Sequence, residues 1–168
     1  MKRQDLMRPL APWICVDIFT RERPRLLPVY LYGLEGKPVV VRVLRGDKMK
    51  TVKALMDEFG AALQFSEGFG ENWYALRDCL TSLDEWLPGD GYLLVVTKPA
   101  EVLSLDTSES LHWLTVTLQE VAEEWSKGIC DNGPYNRPPR PFHVILQADE
   151  IDMARLRQRF GHLELLEP

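Results

Sequence analysis

Residues 69–81 read Phe69-Gly70-Glu71-Asn72-Trp73-Tyr74-Ala75-Leu76-Arg77-Asp78-Cys79-Leu80-Thr81. This stretch predicts a helix that starts after Asn72, because an asparagine side chain accepts hydrogen bonds from the first free backbone N–H groups of a helix. Gly70, two residues earlier, lets the chain turn into the helix freely. We therefore expect the helix to begin near Trp73.

Apolar residues recur in this helix every three or four positions, as they do on one buried helix face. They are Leu76, Cys79, Leu80 and Leu83. The opposite side faces outward and comprises Tyr74, Arg77, Asp78 and Thr81. The pattern thus predicts an exposed helix surface that carries an acid, with Tyr74 one turn before Asp78.

Strands and helices alternate on both sides of this helix. Strands are expected at 13–20, 27–34, 39–44, 92–97 and 142–147, and helices at 51–63, from 108 onward and at 149–160. Short helical and edge-strand segments are expected at 99–104 and 162–166. Strands that are separated by helices connect by right-handed crossovers and lie parallel. The strands at 39–44, 92–97 and 142–147 are separated by helices in this way. Their order predicts an α/β fold with a three-stranded parallel sheet packed with helices.

Three segments follow from this pattern. Residues 1–37 form an N-terminal extension that we interpret as a β-hairpin, residues 38–147 form the α/β domain, and residues 148–168 form a C-terminal helical extension. Residues 131–141 contain four prolines and are expected to be an exposed loop inserted in the domain, because proline bars regular structure.

Charge is distributed unevenly along the 168 residues. Residues 1–55 hold twelve Lys and Arg against five Asp and Glu, whereas the whole chain has a net charge of −5, so residues 56–168 carry −12. A locally acidic surface repels nucleic acid and attracts basic proteins, which argues against nucleic acid as a direct partner. No apolar run approaches the ~18 residues that span a bilayer, so we expect a cytoplasmic protein with no membrane partner.

Catalytic and metal-binding patterns are weak. Cys15, Cys79 and Cys130 have no spacing typical of a zinc site or of a disulfide framework. A thiol–imidazole pair of Cys130 and His143 is the best enzymatic alternative, but a flexible loop separates the two residues. The sequence therefore predicts no enzyme, no metal and no cofactor.

The helix motif resembles the barstar family, the intracellular inhibitors of secreted bacterial ribonucleases. The resemblance covers about 38–147 and is carried by Gly70-Glu71-Asn72, Ala75-Leu76 and Asp78-Cys79-Leu80-Thr81. It implies that this helix and the loop before it enter a ribonuclease active site, where acids occupy phosphate positions. Asp78 falls on the family's principal acidic contact.

Further contacts follow from the same resemblance. The loop residues Gly68, Phe69 and Gly70, with Asn72, lie where the family's binding loop lies. Thr81 adds a hydrogen bond one turn beyond Asp78. Glu123, on the helix from 108, aligns with a further acidic contact when Leu118-Gln119 sets the register.

The chain departs from the family at three contact positions. The other acid of the binding helix is Tyr74 here, the exposed aromatic is Arg77, and the aromatic before Phe69 is Gly68. Glu67 or Glu71 is the candidate for the missing loop charge. The resemblance therefore predicts an inhibitor or immunity protein for a secreted or toxin ribonuclease, with a second interpretation of the same fold as a binding module for a different protein.

Overall fold

The computed structural model describes residues 1–19, 39–130, 133, 136–161 and 163–167. Its strands are β1 (Ile14–Phe19), β2 (Val39–Arg45), β3 (Gly91–Thr97), β4 (Phe142–Asp149) and β5 (Glu164–Leu165). Its helices are α1 (Val52–Leu63), α2 (Trp73–Thr81), α3 (Ser108–Lys127) and α4 (Met153–Phe160). Short 3-10 turns occupy Arg3–Met7, Gly46–Lys48, Leu83–Glu85 and Pro99–Glu101.

The described strands form one parallel sheet in the order β2-β3-β4-β1-β5. The predicted α/β fold is confirmed, because the three strands expected in the domain are β2, β3 and β4 and lie side by side. Helices connect them, as parallel strands require. Two strands beyond the expected three, β1 and β5, extend the sheet past β4.

The terminal segments contribute these extra strands. The strand expected at 13–20 is β1, but its expected hairpin partner, 27–34, lies outside the described residues. The expected C-terminal helix is present as α4, and the edge strand expected after it is β5. The division of the chain at residues 37 and 147 stays a prediction.

Both faces of the sheet are buried. The helix-covered face contains the largest core side chains, including Tyr92, Trp125 and Phe142. The opposite face packs Leu93 and Val95 in a second cluster with residues of the N-terminal segment. Burial on both faces explains the unbroken apolar run of β3, because a strand with one wet face alternates apolar and polar residues.

Candidate protein-binding site

Helix α2 begins where the sequence predicts. The Asn72 side chain accepts a hydrogen bond from the Ala75 backbone N–H at 3.0 Å, and its amide nitrogen donates to the Gly70 carbonyl at 3.0 Å. The left-handed conformation in this turn falls on Glu71, with φ of 48°, and not on Gly70. A Cβ at position 70 would lie 3.2 Å from the Asn72 amide nitrogen, so glycine provides space there.

The last turn of α2 is held by side chains from later in the chain. The Trp125 indole N–H donates to the Leu80 carbonyl at 2.9 Å, and Arg137 donates to the Thr81 carbonyl at 2.7 Å. The Arg137 guanidinium also lies 3.6 Å from the centre of the Trp125 ring. The final carbonyls of a helix have no partner within it, so these contacts stabilise its end.

Asp78 is exposed on this helix. Among the residues that the structure describes, its carboxylate forms no ion pair. The inward face holds Leu76 and Leu80, both fully buried. Cys79 is only half-buried, and burial, aided by the nearby Asp78 charge, raises the pKa of its thiol. Within the described part of the chain, Asp78 is therefore an unpaired negative charge on a helix that is held at both ends.

Thr81 does not face outward as expected, and this prediction is wrong. Its side chain is buried, with 9% of the residue exposed. Its hydroxyl lies 3.1 Å from the carbonyl oxygens of both Arg77 and Asp78, within α2 itself. The hydroxyl therefore turns back to the helix backbone, and Arg137 contacts the carbonyl of the same residue at the end of α2.

Arg77 faces α3 and is paired there. Its guanidinium lies 3.3 Å from a Glu120 oxygen and 2.9 Å from a Glu124 oxygen. This positive charge is thus shared between two glutamates, and it does not offset the charge of Asp78 by direct pairing. The base that departs from the family pattern serves as a link between the two helices.

Glu123 is exposed on α3, beside the same network. Its carboxylate is 3.8 Å from the Lys127 ammonium one turn later. Arg77 and Glu123 line one shallow depression of about 240 Å³, together with Glu120, Glu124 and Lys127. The structure therefore brings two of the predicted site residues, one from each helix, to a common surface.

The loop before α2 is partly anchored. Phe69 is half-buried and packs edge-on against Phe65, with ring centres 4.9 Å apart. Gly68 and Gly70 are exposed on either side of it. Glu71 lies 3.7 Å from the Lys53 ammonium, so part of its charge is matched locally. The loop is fixed by its aromatic residue and presents its glycine backbone to solvent.

His143 and Cys130 differ in solvent exposure. His143 is fully buried, and its ring nitrogens lie 3.0 Å and 3.3 Å from the carbonyl oxygens of Arg8 and Pro12. Burial lowers the pKa of His143 and raises the pKa of Cys15 to about 12. Cys130 is exposed, so it does not share the enclosed setting of His143. In the described ranges, no cluster of three or more possible ligands would hold a metal.

A family comparison assigns the domain that carries this surface. Residues 39–147 match the family model described as "Barstar (barnase inhibitor)". The chain belongs to the barstar family. Members of the barstar family are inhibitors rather than enzymes, so the family supports a protein-binding role like that of a barnase inhibitor.

Other comparisons add little to the barstar assignment. No curated protein matches the chain. One solved structure, titled "Structure of Drosophila ORC bound to AT-rich DNA and Cdc6", aligns with 94% of this chain and 47% of its own chain, at 13% identity and a TM-score of 0.47. That similarity is too low to support an argument. None of the helices in the described ranges has the length and apolar content needed to cross a bilayer.

Two residues near the surface formed by α2 and α3 were not predicted from the sequence. Arg137 lies in the proline-rich segment, and nothing local predicts its contact with α2, 56 residues earlier. Trp113 is 44% exposed on α3. Its position off the apolar stripe, between Leu111 and Leu114, is a signal that was available in the sequence.

Proposed function

We propose that this protein inhibits a bacterial ribonuclease toxin by placing Asp78 in the basic active site of that enzyme. The exposed Asp78 carboxylate, unpaired within the described residues and mounted on a helix fastened at both ends, carries the proposal. In this role the protein acts in the cytoplasm of the producing cell, as an immunity protein.

The chemistry of the target explains the choice of an acid. A ribonuclease binds phosphate with Arg, Lys and His, and a carboxylate replaces a phosphate by accepting charge-assisted hydrogen bonds from the same groups. A helix held at both ends loses little conformational freedom on binding, which favours affinity. Gly68, Phe69, Gly70 and Asn72 form the adjoining part of the contact surface.

A second candidate keeps the fold and changes the partner. Tyr74 is 81% exposed where the family pattern has an acid, and Arg77 is paired with α3 where the pattern has an exposed aromatic. A protein-binding module for a partner other than a ribonuclease fits these two departures. Fold alone does not decide between the candidates.

Removal of the Asp78 charge tests the first candidate. We expect the wild type to inhibit a basic secreted ribonuclease, with barnase as the first of a panel, at one-to-one stoichiometry. Asp78→Ala should weaken that inhibition at least ~100-fold, or about 2.8 kcal/mol, because the cationic site is left without its counter-charge. Titration of ribonuclease activity measures the inhibition constant.

Glu150→Ala is the matched control, because it removes one exposed acid from the turn after β4. It should inhibit like the wild type. Circular dichroism of both variants shows that the fold is retained. Full inhibition by Asp78→Ala would contradict the proposed site, and a wild type inactive against the whole panel would favour the second candidate.

A further inference from the structure

A small apolar groove lies between α2 and α3, beside the proposed contact surface. Its walls include Trp73 and Tyr74 from α2 and Trp113 and Val116 from α3, and its volume is about 120 Å³. An apolar cavity of roughly 150 Å³ holds a benzene ring, so this groove has room for one aliphatic side chain.

The aromatic walls of the groove are open to solvent. Tyr74 is 81% exposed and Trp113 is 44% exposed. Thr117, which also lines the groove, is buried, with 5% of its surface exposed. Exposed Tyr and Trp side chains are enriched at protein interfaces, where they bury a large apolar area at little conformational cost. Tyr74 and Trp113 come from different helices, so this part of the surface is both concave and apolar.

The groove itself is lined by one acid, Glu120, and one base, Arg77, and further acids lie beside it. Glu120 lies at its edge, and Asp78, Glu123 and Glu124 lie on the adjoining surfaces of the same two helices. Arg77 and Lys127 are the bases among them, and both are within 4 Å of a glutamate oxygen. Over the groove and these adjoining surfaces together, four acids against two bases leave a net charge of −2, which favours a partner segment rich in Lys or Arg.

We propose that this groove binds an aliphatic side chain, flanked by Lys or Arg, from the basic protein that α2 inhibits. The proposal rests on the proposed function for the identity of that protein. Tyr74 then acts as a specificity-determining residue, because it exchanges one charge contact of the family pattern for apolar contact with the partner. The target should carry such a side chain at the rim of its basic cleft.

Two peptides test the groove without any enzyme. The probes are acetyl-KKLKK-amide and acetyl-KKSKK-amide. The readout is the indole N–H resonances in nuclear magnetic resonance spectra, with the two groove signals identified from Trp73→Phe and Trp113→Phe. We expect the leucine peptide to shift the Trp73 and Trp113 signals saturably, and the serine peptide to bind at least ~10-fold more weakly. Equal shifts with both peptides, or none with either, would overturn the proposal.

A second arm uses the full complex and separates the two possible failures. Against a ribonuclease that the wild type inhibits, Tyr74→Ser and Trp113→Ala should each weaken inhibition ~10-fold. Leu105→Ala, at an apolar residue 74% exposed outside the groove, is the control and should have no effect. Loss of inhibition in Asp78→Ala alone, with both groove variants fully active, rejects the groove and keeps the inhibitor. Selective leucine-peptide binding with no ribonuclease inhibited keeps the groove and rejects the proposed target.

Discussion

At the scale of single residues, the proposed contact surface depends on which side-chain charges are paired and which are exposed. Asp78 and Arg77 are neighbours in sequence, yet Arg77 turns to Glu120 and Glu124 on α3 while Asp78 stays exposed. An α-helix separates consecutive side chains by about 100° around its axis, so adjacent residues serve different surfaces. Asp78 therefore stays exposed on the proposed contact surface.

Replacement of Arg77 by Ala should cost less than ~1 kcal/mol of unfolding free energy, because all three charged groups of its network are partly exposed and screened by water. The same variant makes the surface more negative and should speed association with a basic protein. Urea unfolding followed by circular dichroism measures the first effect. Lys127→Ala, which removes an equal charge from α3, is the control. A loss of several kcal/mol of unfolding free energy in Arg77→Ala alone would show that the network of Arg77 with Glu120 and Glu124 is needed for stability.

At the scale of elements, α2 is short and depends on its ends. A nine-residue helix has few internal hydrogen bonds, and isolated helices of this length are marginal in water. Asn72 satisfies its start, and Trp125 and Arg137 satisfy its end. Arg137, from the proline-rich segment, therefore helps to hold α2 in place.

Arg137→Ala should destabilise the protein by about 2–3 kcal/mol, because it leaves the buried Thr81 carbonyl without a donor and removes the cation–π contact with Trp125. Urea unfolding monitored by tryptophan fluorescence gives the unfolding free energy. Arg140→Ala is the control, because its guanidinium bonds to Asp84 at 3.1 Å but stands 5.9 Å from the Trp125 ring centre. Equal losses of unfolding free energy in the two variants would contradict the proposed role of Arg137 at the end of α2.

At the scale of the whole molecule, charge separates along the chain and determines how the protein meets a partner. The proposed surface is acidic, so its encounter with a basic enzyme should be steered by long-range attraction. Association should slow several-fold as ionic strength rises from ~50 to ~500 mM, because screening shortens the reach of charge to less than ~8 Å. Stopped-flow association rates test this, and a rate unaffected by salt would favour the second candidate function.

Acid should destabilise the whole fold through Glu58, which ties α1 to the end of β2. Its carboxylate accepts hydrogen bonds from the Arg45 backbone and guanidinium at 2.7–2.9 Å, and these bonds lower its pKa. A lowered pKa means that the contribution is complete above the unfolded value of about 4.5 and is lost as pH falls through the folded value. Below about pH 4.5, the unfolding free energy of Glu58→Gln should therefore fall less steeply with decreasing pH than that of the wild type.

The matched control for Glu58→Gln is Glu67→Gln, which removes the same charge from the exposed loop before α2. This control should follow the wild-type curve in urea unfolding between pH 3 and pH 6 in about half-unit steps. An identical pH dependence in the Glu58→Gln variant would show that the pair with Arg45 does not contribute.

Local chemistry explains what the sequence predicts well. The Asn72 cap, the buried Leu76 and Leu80 and the exposed Asp78 all follow from signals within a dozen residues, since capping and helical period act over one or two turns. The continuous apolar run of β3 likewise marks a strand buried on both faces. These features specify the α/β class and the position of α2.

By itself, then, the sequence determined where α2 begins, its exposed acid and the three strands that define the fold. Tertiary structure alone decided that Arg77 pairs with Glu124, 47 residues away, that Thr81 is buried and that Trp113 meets Tyr74 across a groove. The physical reason is range: a cap or a period acts between near neighbours, whereas these contacts depend on how distant helices pack on the sheet.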